Sequence, residues 1–229
     1  MLPRAALFDI GGPIDLEFAW EAAMDSAIAA ACGLEGIRVD QAMVEEASEV
    51  AVAAFAPDAY AHMVETLCGG DPQSSERVRQ RVRAMVGNLE VFQLRPDVDS
   101  LLRRLRERGL KLGIVANQPE AAYRRLERAG IADLFDYHGL SGTTGLRKPD
   151  PQAFLAAAAA LGLPPSACIM VGDRIDNDIV PAKALGMATI QFRGGRHRRQ
   201  RPRRSDEEPD WVVTDVLELE RAIKDLLAQ

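Results

Sequence analysis

The run ACIMVGDRIDNDIVPAKALGMATIQF, residues 167–192, decides how the chain folds. Ala167 to Gly172 is an unbroken apolar stretch that reads as a buried strand. Ile179 to Leu185 has helical spacing and stops at Gly186. Ala188 to Phe192 then reads as a second strand. Two strands joined by a helix run parallel, because the crossover returns the chain to the starting edge.

The same alternation extends outward from this unit. Val98 to Gly109 reads as a helix with Leu101, Leu102 and Leu105 on one face, and Leu110 to Ala116 as a strand. A helix over Pro119 to Gly130, a short strand over Tyr137 to Ser141 and an Ala-rich helix over Pro151 to Leu161 follow. Leu217 to Leu227 closes the chain as a helix, after an exposed loop over 193–210. At the other end, residues 4–9 (RAALFD) form a buried strand that stops at Gly11-Gly12-Pro13. Between these parts no stretch alternates like a strand. Phe18 to Cys32, Val39 to Phe55, Ala59 to Leu67 and Ser74 to Val86 have helical spacing, punctuated by Gly33, Gly36, Pro57 and the Gly69-Gly70-Asp71-Pro72 turn. The expected organisation is an α/β core of residues 1–14 and 90–229, a parallel sheet with helices on both faces, interrupted by an α-helical domain over 15–89.

Composition narrows the function classes. With 229 residues, 47% hydrophobic and 27% charged, the chain has the make-up of an ordinary globular protein, which excludes disorder and a disulfide scaffold. No apolar run approaches the ~20 residues of a membrane span. The apolar start runs straight into Asp9 and lacks the features of a signal peptide. Cys32, Cys68 and Cys168 are odd in number and widely spaced, so reduced thiols and a cytoplasmic location are expected. A net charge of −6 argues against a general nucleic-acid binder. Charge is uneven, however: residues 193–204 carry seven Arg and His197 with no acid. That segment reads as a solvated loop balanced by Asp206, Glu207 and Glu208, with contact to an anionic substrate or partner as the sharper alternative.

Ligands of open parallel sheets sit at the carboxyl ends of the strands. The polar residues there are Asp9, Asn117 with Gln118, Lys148, and Asp173 with Asp178. Hard carboxylate oxygens in that number suit Mg²⁺, which takes one or two carboxylates together with waters and substrate phosphate. A lysine among them could neutralise phosphate oxygens. Asn117 and Gln118 lead into Pro119, so they read either as substrate-contacting amides or as the start of the next helix.

These residues also form an ordered set. Phe8-Asp9-Ile10-Gly11-Gly12-Pro13 is a strand ending in Asp. Ile114-Val115-Ala116-Asn117-Gln118 is a second strand end, followed by Lys148-Pro149-Asp150-Pro151 and then by Gly172-Asp173 with Asp178 five residues on. In this order and spacing the chain resembles the haloacid dehalogenase-like (HAD) hydrolase superfamily over essentially its whole length. The resemblance implies a Rossmann-like doubly wound sheet with the helical insert as a mobile cap. It implies a phosphatase acting on a small phosphorylated metabolite, with Asp9 as the nucleophile that forms an aspartyl-phosphate. Mg²⁺ would be held by Asp9, the Gly11 carbonyl, Asp173 and Asp178, while Lys148 would stabilise both the nucleophile and the phosphoryl charge.

Two positions depart from the family pattern. A second Asp, the general acid/base, usually stands where this chain has Gly11, and a phosphate-binding Ser or Thr usually stands at Ala116. Loss of general acid/base catalysis is worth roughly 10²–10⁴ in rate. Asp15 is a candidate substitute acid, and Asn117 and Gln118 are candidate phosphate donors. The departures keep a rival reading open: a non-catalytic member that binds Mg²⁺ and a phosphorylated ligand or a protein. A dehalogenase is disfavoured because its fourth motif typically lacks the Gly-Asp start, which Gly172-Asp173 supplies. Phosphonate cleavage needs a cap lysine, and residues 15–88 contain none.

Overall fold

The computed structural model describes residues 2–87 and 89–228. The chain divides into two compact units, one of residues 1–16, 94–198 and 202–229, the other of residues 17–93 with 199–201.

The first unit is built on six parallel strands: β1 (Ala5–Phe8), β2 (Lys111–Ala116), β3 (Tyr137–Leu140), β4 (Cys168–Gly172), β5 (Ala188–Phe192) and β6 (Trp211–Val213). Their order across the sheet is β3-β2-β1-β4-β5-β6, the doubly wound Rossmann-like arrangement. β1 lies at the centre, with Leu7 opposite Gly113 of β2 on one side and Met170 of β4 on the other. It is buried along its whole length, which is why it reads as an unbroken apolar run.

Successive side chains of β1 point to opposite faces. Ala5 and Leu7 join Met170, Phe154, Ala157 and Leu161 in one core layer, built on helix α8 (Pro151–Ala160). On the other face Phe8 meets the edge of Phe135 at 6.3 Å between ring centroids. Helix α5 (Val98–Glu107) buries Leu101, Leu102 and Leu105, the face read from the sequence. It is tied to the last helix, α10 (Val216–Leu227), by the Arg104–Glu220 pair at 2.8 Å.

Three features differ from the sequence reading. Strand β6 follows the expected loop over 193–210, in a stretch where the sequence reading assigned no element, because three residues are too few to show a period. It is fixed by Asp210, whose carboxylate accepts hydrogen bonds from the Thr189 N–H and Oγ1 at 2.8 and 2.9 Å. Helix α7 (Ser141–Thr144) is a single turn that ends at Gly145 in the left-handed region. The expected helix over 179–185 is preceded by a wide π-type turn, Ile175–Ile179, that leads into α9 (Val180–Ala184).

The second unit is helical: α1 (Phe18–Leu34), α2 (Gln41–Ala53), α3 (Ala59–Leu67) and α4 (Pro72–Val86). Its acidic residues have local roles. Asp40, Asp58 and Asp71 each cap a helix by accepting a hydrogen bond from the backbone N–H three residues on. Glu35 pairs with Arg77 and Arg81, and Glu76 with Arg79 and Arg83. Ile28, Ala31, Cys32, Met63 and Val78 form the unit's core. Among the described residues no helix is long and apolar enough to cross a membrane.

Candidate active site

The sheet reverses its winding direction between β1 and β4; Asp9 follows β1, Asp173 and Asp178 follow β4, Asn117 and Gln118 follow the neighbouring β2, and Lys148 lies beyond β3 and α7. The Asp9 N–H donates to the Val171 carbonyl at 2.9 Å, which keeps the chain beside β4 for one residue past β1. The next residues turn sharply: the N–H groups of Ile14 and Asp15 both reach the Ile10 carbonyl. Gly12 occupies the left-handed region at φ 82°, and a Cβ on it would lie 2.8 Å from the Asp173 Cβ. Glycine there lets the turn lie against Asp173. The Arg95 Nε braces the same turn by donating to the Gly12 carbonyl at 2.7 Å.

Lys148 sits at the centre of the charges. Its side chain is 2% exposed, and its ammonium lies 3.0 Å from Asp9 Oδ1 and 2.6 Å from Asp178 Oδ1. Asp9 Oδ1 also accepts from the Ile10 N–H at 2.8 Å. Asp178 is fully buried, and its Oδ2 accepts from the Arg174 N–H at 3.0 Å. A Cβ on Gly172 would lie 2.3 Å from the Asp178 Cγ, so a glycine before Asp173 makes room for the second carboxylate. Lys-Pro-Asp-Pro is equally legible. Lys148 carries the charge, while Asp150 caps α8 by accepting from the Gln152 N–H at 2.8 Å, with Pro151 in the first turn.

Asn117 holds Lys148 from behind. Its Nδ2 donates to the Lys148 carbonyl at 2.8 Å, and its Oδ1 accepts from the Lys148 N–H at 2.9 Å. Both ends of the amide are thus bonded to the backbone of one residue, so Asn117 fixes where the lysine starts and is not the helix cap; α6 (Ala121–Arg128) begins later. Gln118 contributes its backbone carbonyl, which accepts from the Gly142 N–H at 3.0 Å. Gly11 is buried and makes an isolated bridge with Asp15, and Ala116 is buried at the end of β2.

The electrostatics follow from burial. Desolvation raises the Asp9 carboxyl above its ordinary value; Lys148 pulls against it and Asp173 adds to it. Burial likewise pushes Asp178 up to about 6, with Lys148 opposing and Asp9 reinforcing. Burial works to discharge Lys148 as well, but Asp178 and Asp9 outweigh it and hold the ammonium above its ordinary value. Asp9, Asp173 and Asp178 each offer an oxygen, and these three oxygens lie within 4.8 Å of one another. Three carboxylates facing one ammonium leave an excess of negative charge, and the donor set of hard oxygens fits a divalent cation such as Mg²⁺.

The Arg-rich segment supplies the residue whose role the sequence did not show. His197 Nδ1 lies 3.0 Å from Asp173 Oδ2. The segment's far end is neutralised, since Arg203 and Arg204 both pair with the buried Glu207. A strand-end position was the one signal that pointed to His197, because no spacing rule connects it to Asp173.

The haloacid dehalogenase-like hydrolase family model matches residues 3–186. Glyceraldehyde 3-phosphate phosphatase of Methanopyrus kandleri is 37% identical over 132 residues, 57% of this chain and 57% of that protein. Phosphoserine phosphatase of Thermus thermophilus is 32% identical over 152 residues, 66% of this chain and 58% of that protein. The matched region therefore spans little more than half of either relative. A solved structure described as a predicted phosphoglycolate phosphatase from Haemophilus somnus shares the fold, with a TM-score of 0.71 at 21% identity over 96% of this chain and 97% of that one. Because the family model matches well over half of the chain and includes all four strand-end motifs, the chain belongs to the haloacid dehalogenase-like hydrolases.

Proposed function

We propose that the chain is a Mg²⁺-dependent phosphomonoester hydrolase acting on a small phosphorylated metabolite through a covalent aspartyl-phosphate on Asp9. The observation that carries this reading is the buried Asp9–Lys148–Asp178 chain of contacts, with Asp173 alongside. A carboxylate oxygen of Asp9 attacks phosphorus, the bond from phosphorus to the ester oxygen breaks, and the leaving oxygen departs as an anion that takes its proton from water. Water then attacks the acyl phosphate, releasing inorganic phosphate and regenerating Asp9. Lys148 keeps Asp9 ionised and oriented and meets the phosphoryl charge. Asp178 holds Lys148 in place, and Asn117 fixes its backbone. Asp9, Asp173 and Asp178, with the Gly11 carbonyl, would hold Mg²⁺, whose contribution is neutralisation of phosphoryl charge. In this reading the helical unit is the cap that selects the substrate.

Glyceraldehyde 3-phosphate and phosphoserine, named for the relatives, set the size of substrate to test first. Gly11 offers no proton to a departing alkoxide, so acyl or aryl phosphates are expected to turn over faster than sugar phosphates. The same residue favours a second reading, a member that binds Mg²⁺ and a phosphorylated ligand without turnover. Phosphate release from a panel of acyl, aryl and sugar phosphates, with Mg²⁺ and with a chelator, separates the two. Mg²⁺-dependent release that is abolished by Asp9→Asn is the expected result. Release that survives Asp9→Asn would refute the nucleophile assignment, and no release from any substrate would favour the binder.

A further inference from the structure

We infer that His197 is a positioning residue of the cation site: it fixes the Asp173 carboxylate, so that the Arg-rich segment forms part of the active centre. The inference rests on the metal reading above.

The segment leaves β5 directly against the turn after Asp9. Arg95 donates to the Gly12 carbonyl at 2.7 Å and lies over the Phe192 ring, 4.5 Å from its centroid. A Cβ on Gly194 would come within 2.8 Å of the Arg95 Nη2, so a residue without a side chain lets the guanidinium pass. The Arg193 N–H donates to the Val213 carbonyl at 2.8 Å and ties the start of the segment to β6. The chain then enters the short turn Arg196–Arg199, which sets the imidazole beside Asp173.

With the ring proton on Nδ1, the imidazole donates to the Asp173 carboxylate across this 3.0 Å contact. The Asp173 side chain is 4% exposed and the His197 side chain 15%, so little water competes for the bond. The bond restricts rotation of the carboxylate about Cβ–Cγ. The same oxygen is then presented each time to a cation shared with Asp9 and Asp178. Partners of this kind behind a metal-binding side chain are worth about 10–100-fold in metal affinity.

The test measures Mg²⁺ affinity by calorimetry on the full chain, with thermal unfolding of each variant as a control. His197→Asn places an amide Nδ2–H at the position of the imidazole Nδ1–H. His197→Phe keeps the ring and removes the donor. The expected result is a rise in the Mg²⁺ Kd of about 10–100-fold in His197→Phe and His197→Ala, with most of the affinity recovered in His197→Asn. If His197→Phe binds Mg²⁺ like the parent, or if His197→Asn is no better than His197→Ala, the assignment is overturned. Asp173→Asn separates this from failure of the metal reading. A parent chain that binds no Mg²⁺, or whose binding is indifferent to Asp173→Asn, overturns both. A parent whose binding depends on Asp173 but not on His197 overturns only the role of His197.

Discussion

Replacing Gly172 with alanine puts one methyl group where the structure has no room for it. The new Cβ would lie 2.3 Å from both Cγ and Oδ2 of Asp178 and 2.5 Å from its Cβ. Asp178 cannot yield cheaply: it is fully buried, one oxygen is 2.6 Å from Lys148 Nζ, and the other accepts from the Arg174 N–H at 3.0 Å. Gly172 also lies within β4, in register with Gln191 of β5. Overpacking a core by a methyl costs about 1–3 kcal/mol. Pulling Asp178 off its charged partner costs about 1.5–3 kcal/mol more. Alanine returns about 0.5–1 kcal/mol, because the unfolded chain is less free than with glycine. The net loss is about 3 kcal/mol, or a fall of about 6–12 °C in the Tm of the transition that carries the α/β unit. The control is Gly186→Ala, where no atom lies within 4 Å of the new Cβ but φ is 78°. It pays about 1–2 kcal/mol of left-handed strain and meets no atom beyond its own chain neighbours. Urea denaturation of both variants with Mg²⁺ chelated reads the difference. A loss at Gly172→Ala no larger than at Gly186→Ala would refute the claim that this glycine exists to admit Asp178.

Three further outcomes follow from the same geometry. Gly11→Asp is expected to raise turnover of alkyl phosphates, up to the ~10²-fold low end of acid/base effects. The left-handed residue of the turn is Gly12, so the backbone does not oppose the change at Gly11, and equal rates in a side-by-side phosphate-release assay would show that another group already supplies the proton. Asn117→Ala releases the Lys148 peptide and is expected to lower kcat/KM by about tenfold, the equivalent of about 1.4 kcal/mol, with a smaller effect on Tm; unchanged kinetics would remove Asn117 from the positioning of Lys148. Glu220 lies 2.8 Å from Arg104 and 2.8 Å from Lys224, which hold its carboxyl at about 2, against an ordinary 4.5. Because the folded pKa is lowered, the stabilisation is complete above pH 4.5 and is lost as pH falls towards 2. Arg104 and Lys224 are 43% and 41% exposed, so screening reduces the effect of Glu220→Gln to about 1 kcal/mol at neutral pH. Denaturation midpoints should converge with the parent's only as pH falls through about 2, and a gap undiminished below that pH would contradict the ion-pair origin.

What was legible in the sequence was whatever repeats a local rule. Buried parallel strands are continuous apolar runs, so β1, β2, β4 and β5 emerge nearly to the residue, and Ala59–Leu67 is bounded as read because Asp58 caps it. Asp9 and Asp173 could be found because each follows a strand, Asp178 by its fixed spacing from Asp173, and Lys148 by the Lys-Pro-Asp-Pro run, and the strand order brings the two strand ends together. Residues that act across long separations left no such trace. Asn117 looks like a helix start before Pro119, and only the structure shows its amide closed on the Lys148 peptide, 31 residues away in sequence. Arg95 lies 83 residues from the Gly12 carbonyl it braces. His197 lies among arginines whose composition suggests a solvated loop. For Arg203 and Arg204 that reading places the charge balance correctly, on the acidic stretch that follows, while His197 turns the other way, to Asp173. The division has a physical cause. Gly172 and Asp178 are close in sequence because one turn must pack its carboxylate against its own strand, so selection acts on a fixed spacing. A hydrogen-bond donor to Asp173 can arrive from any segment that passes the carboxyl end of β4. Its position in the sequence is therefore set by the length of the connections, and no spacing motif can record it.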